Sequence, residues 1–170
     1  MLSQSARASS AAEARFRIDD PNSRPRTVKV VALDRPSEAV VERLAREQWN
    51  GAVFLMGSAF AAAPQRHGQF SMETWPSDLS DRAKRLVDEI GSADLVVMIA
   101  TAGEDASVAA IVGEACSLGR VTTSALVLGG ASATDEALSR TLAQLRPWAL
   151  TLVVASTDDY IVDMLRALRA

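Results

Sequence analysis

The chain has 170 residues, a formal net charge of -3 and 48% hydrophobic residues, which fits one ordinary soluble domain able to bury a core. Its single Cys excludes an internal disulfide, and one His with one Cys leaves too few ligands for a zinc site of those types. A pI near 5.2 gives no basic footprint for nucleic acid, and no apolar run is long enough to span a bilayer, so neither partner is expected and a cytoplasmic location is.

Residues 1–26 differ from the rest. They are rich in Ser, Ala and Arg, are broken by Pro21 and Pro25, and show no sustained periodicity. Five Arg oppose three acids there, a net of +2, so the remainder carries -5. This composition cannot bury enough apolar surface to order itself, and a flexible tail is expected. It also has something of an organelle transit peptide, but its acids and missing apolar face argue against that. Residues 27–170 are expected to form a single domain.

From Thr27 onward, strand-like and helical runs alternate. Thr27–Leu33 is β-branched and nearly continuous, the pattern of a strand covered on both faces. Ser37–Trp49 puts Val40, Val41, Leu44 and Trp49 on one helical face, with Ser37 a candidate cap and Asn50-Gly51 the stop. Ala52–Met56 reads as a second buried strand. Residues 57–80 are irregular, with a short edge strand expected at Gln69–Trp75. Leu79–Ile90 is amphipathic, and Asp94–Ala100 is the clearest strand. Ser107–Leu118 is a helix ended by Gly119. Val121–Leu128 is a strand, and Thr134–Leu145 a helix with Asp135 and Glu136 at its positive end. Leu150–Ala155 and Asp158–Leu168 close the series as strand and helix.

Five strands interleaved with five helices imply βαβ units around a mainly parallel sheet. Right-handed crossovers place helices on both faces. The expected fold is therefore a three-layer Rossmann-like or flavodoxin-like α/β domain, with five or six strands in the order 2-1-3-4-5. Ligands of such sheets bind beyond the carboxyl ends of the strands, at the switch point between the first and third strands.

That rule selects the candidate residues. The first loop offers Asp34, Arg35 and Ser37. It has no glycine to let a backbone approach a phosphate, and Pro36 removes one amide donor. Asp34 and Arg35 partly offset each other and are expected to form a solvated turn. The second loop offers Thr101, Gly103, Glu104 and Ser107: two hydroxyls, a bend and a carboxylate beside a helix start. With Asp105, Glu104 either complements the helix dipole or helps to hold a polar ligand or a divalent cation. Gly129, Gly130 and Ser132 form a third loop, able to present backbone donors or simply to turn. Asp158-Asp159 reads as an acidic helix start. His67 lies in a Pro/Gly-rich loop without an evident orienting partner, and Cys116 sits among small and apolar residues as a core thiol. No cofactor and no metal site is expected. A small polar ligand is a candidate partner, and a homo-oligomer is expected.

The segment Ser92-Ala-Asp-Leu-Val-Val-Met-Ile-Ala-Thr-Ala-Gly103 resembles the stretch leading into the phosphate signature of the tubulin/FtsZ GTPase fold. The helix, Gly119 and strand that follow are similar too, as is Ala143–Asp159 to that family's last strand exit. The resemblance runs from about Thr27 to Leu165, and it implies the fold of the nucleotide-binding domain alone. The departures fall on the phosphate loops: Asp34-Arg35-Pro36 and Glu104-Asp105-Ala106 stand where the family has glycines. No counterpart of the family's second domain, with its catalytic acidic loop, is expected. The implied function is a non-catalytic binding or assembly domain, a degenerate form of the family's nucleotide domain. The alternative is a small-molecule or sugar-phosphate binder, or an isomerase-type enzyme, using Thr101–Ser107. Sugar-isomerase domains have a comparable strand, loop and helix, but Ala100-Thr-Ala-Gly103 lacks their serines.

Overall fold

The computed structural model describes residues 26–59, 87–155, 159–168 and 170. The expected tail (apart from Arg26), the edge strand Gln69–Trp75, most of Leu79–Ile90, His67 and Asp158 lie outside them. The elements are β1 (Val28–Ala32), α1 (Arg35–Leu44), β2 (Ala52–Met56), β3 (Leu95–Thr101), α2 (Val108–Gly119), β4 (Thr122–Leu128), α3 (Asp135–Leu145), β5 (Thr151–Val154) and α4 (Asp159–Ala167). Residues 87–91 are also helical, ahead of β3.

Among the described residues the sheet has five strands, all parallel, in the order β2-β1-β3-β4-β5. The expected α/β architecture and strand order are both present. Because side chains alternate across a strand, each central strand feeds two separate cores. Val28, Val30, Ala32, Val97 and Ile99 pack with Val41 and Leu44 of α1 and Ile161 and Leu165 of α4. Val31, Val96, Met98 and Ala100 face the opposite way, onto Val112, Ala115 and Cys116 of α2, Leu145 of α3 and Ile90. The result is three layers, with β3 buried along Leu95–Ala100. A strand covered on both faces must be apolar throughout, which explains the continuous run in β3.

Lys29 departs from that rule. It lies in β1, is 4% exposed, and forms an ion pair with Glu89 on the helical segment 87–91. Among the described residues, the buried ammonium thus has one carboxylate partner, and that one is half-exposed.

Several boundaries differ from the expected ones for identifiable reasons. The cap of α1 is Asp34, not Ser37: Ser37 stands three residues later and completes a reciprocal box, its hydroxyl 3.1 Å from the Asp34 amide. The helix ends at Leu44 instead of Trp49. The Trp49 indole N–H donates to the Leu44 carbonyl at 2.7 Å, so the tryptophan closes the helix from outside. Its ring then meets Phe54 of β2 at 5.9 Å, tilted by 57°. At the end of α2 the left-handed residue is Arg120, at φ 54°, and Gly119 remains helical.

Two glycines are required by close packing. A Cβ on Gly57 would lie 2.3 Å from the Ala32 carbonyl oxygen, so the exit of β2 closes onto the end of β1 only through a glycine. A Cβ on Gly113 would lie 2.5 Å from Cβ of Trp148, which covers α2 at that point.

Candidate functional site

The carboxyl ends of β1 and β3 meet at the switch point, where this topology places ligands. The residue that occupies it is Asp34. It is 9% exposed and therefore not part of a solvated turn. Its Oδ1 accepts the Ser37 amide at 2.8 Å and the Thr101 hydroxyl at 2.9 Å, while Oδ2 accepts the Thr101 amide at 2.7 Å. The Ser37 hydroxyl in turn donates to the Asp34 carbonyl at 2.8 Å, and Ser37 is fully buried. One carboxylate therefore caps α1 and ties it to the end of β3. Arg35, the next residue, is exposed.

Most amides of the Thr101–Ser107 loop are paired in the same manner. Gly103, at φ 93°, turns the chain and donates its amide to Thr141 Oγ1 at 3.0 Å. Thr141 lies on α3, is fully buried, and hands its own proton to the Glu104 carbonyl at 3.2 Å. The Ala102 amide continues the ladder to the Leu128 carbonyl, and the Glu104 amide closes a turn on Thr101. Gln144 of α3 accepts the Ala106 amide at 2.8 Å and donates to Asp105 Oδ1 at 2.8 Å. Asp105 then accepts both the Ser107 amide at 3.1 Å and the Ser107 hydroxyl at 2.8 Å. These hydrogen bonds, the Ser107 hydroxyl foremost, hold the Asp105 carboxyl below its ordinary value against the opposing effect of partial burial. At the start of α2, the Ala109 and Ala110 amides bond back to the Ala106 and Ser107 carbonyls.

A helix N-terminus binds an oxyanion when its amides point outward unpaired. Here the chain's own oxygens occupy the amides of Ser37, Thr101, Gly103, Ala106 and Ser107. The same holds at the exit of β2, where Glu38 Oε1 accepts the Ser58 amide at 2.7 Å. Among the described residues, every buried side-chain nitrogen and oxygen has a hydrogen-bond partner, so no orphaned side-chain polar atom is buried at the switch point.

The remaining candidates sit apart from this constellation. Gly129, at φ 71°, starts a turn in which the Ser132 amide and hydroxyl and the Ala133 amide all return to the Gly129 carbonyl, at 3.0 to 3.1 Å. Gly130 is pressed against β5: a Cβ there would meet Val154 Cγ1 at 2.3 Å. Glu104 is exposed. Cys116 is buried in the core, and the desolvation pushes its thiol up to about 12. Among the described residues, no three His, Cys, Asp or Glu side chains gather as metal ligands, and no helix is long and apolar enough to cross a membrane.

The structure thus brings Asp34, Ser37 and Thr101 together, and separately gathers Gly103, Glu104 and Ser107 around Thr141, Gln144 and Asp105. Sequence reasoning singled out neither Thr141 nor Gln144. Thr141 carried a readable signal, since it is a polar residue on the stripe of Leu138, Leu142 and Leu145. Gln144 carried none, being one polar residue among several on that helix. Set beside known proteins, the chain matches no family model and no curated protein.

Proposed function

We propose that the chain is a non-catalytic Rossmann-like domain that works by binding or assembly, similar to a tubulin/FtsZ nucleotide domain in degenerate form. One observation carries the reading. The amides of Ser37, Thr101, Gly103, Ala106 and Ser107, at the loops where such a fold would hold phosphate, are all taken by acceptors of the chain itself. Asp34 adds a buried negative charge at the switch point, which opposes an incoming oxyanion. Assembly into a homo-oligomer in the cytoplasm belongs to the same proposal.

Calorimetric titration with GTP and with GDP tests it: no saturable heat is expected, and binding at micromolar affinity would overturn the reading. Sedimentation over a range of concentrations tests assembly, and a monomer at every concentration would count against it. The competing reading, a sugar-phosphate or small-molecule site on the Thr101–Ser107 loop, requires Asp34 to release the Thr101 hydroxyl and Asp105 to release that of Ser107.

A further inference from the structure

We draw no further inference here: the strongest candidate, the uncharged outer edge of β5 with Leu150 and Val154 exposed beside it, carries nothing because nothing in the structure shows what covers it.

Discussion

Replacing Asp34 by alanine removes one carboxylate and strands three donors. Two are backbone amides, Ser37 and Thr101, which have no freedom to seek another partner without moving the chain. The third, the Thr101 hydroxyl, can rotate. An orphaned buried donor costs about 1–3 kcal/mol, and loss of an N-cap costs about 1 kcal/mol. These terms share the same atoms and do not add fully, so a net loss of about 2–4 kcal/mol is expected. With a urea m-value of about 2 kcal/mol/M, this lowers the unfolding midpoint by about 1–2 M. Asp34→Asn is the informative companion. Its carbonyl oxygen can still accept from Ser37, but its amide group would then face the Thr101 amide donor to donor. It should fall between wild type and alanine. Equilibrium urea unfolding followed by far-UV circular dichroism measures all three proteins. A loss below about 0.5 kcal/mol in Asp34→Ala, the range of an ordinary surface change, would refute the reasoning.

Three further outcomes follow from the same structure. Asp105, held below its ordinary carboxyl value, stabilises the fold fully above the unfolded value near 4, and that contribution is lost as pH falls through the lowered folded value. Carboxyl NMR should show its midpoint rising toward the ordinary value in Ser107→Ala; an unmoved midpoint would contradict the assignment of the Ser107 hydroxyl as the main cause. Gly113→Ala forces a methyl to within 2.5–2.6 Å of Trp148 atoms, and should cost about 1–3 kcal/mol in thermal or urea unfolding, with a neutral result contradicting the packing. Glu89→Gln leaves the buried Lys29 ammonium without its counter-charge and should destabilise by about 1–2 kcal/mol, tempered by the exposure of Glu89, whereas Lys29→Met with Glu89→Gln should recover most of the loss. A double variant as unstable as Glu89→Gln alone would show that the pair is not the cause.

The sheet was legible in the sequence because hydrophobic periodicity reports burial directly. A strand covered on both faces, such as Leu95–Ala100, has no alternative to an unbroken apolar run. Helix ends were less legible, since caps depend on side chains arriving from elsewhere. Nothing local in Ser37–Trp49 says that the Trp49 indole will turn back onto Leu44. The switch point was the hardest part. Position alone selected Asp34, Ser37 and Thr101, and in the structure these three hydrogen-bond to one another. Their roles were hidden, because Asp34 and Thr101 lie 67 residues apart and meet only when β1 and β3 pair. Asp34 beside Arg35 looks like a self-compensating turn until the tertiary structure buries one and exposes the other. Thr141 and Gln144 reach the second loop from α3 for the same reason: the acceptors that close a loop come from the element packed above it.

The central claim is that the amides of Ser37, Thr101, Gly103, Ala106 and Ser107 are already occupied from within. Its most direct test is an amide-resolved NMR titration of the protein with GDP and with inorganic phosphate, following Ser37, Thr101, Gly103, Ala106 and Ser107. These amides should stay unshifted to millimolar ligand while their hydrogen bonds remain protected from exchange. Saturable shifts at these same amides at micromolar ligand would contradict it.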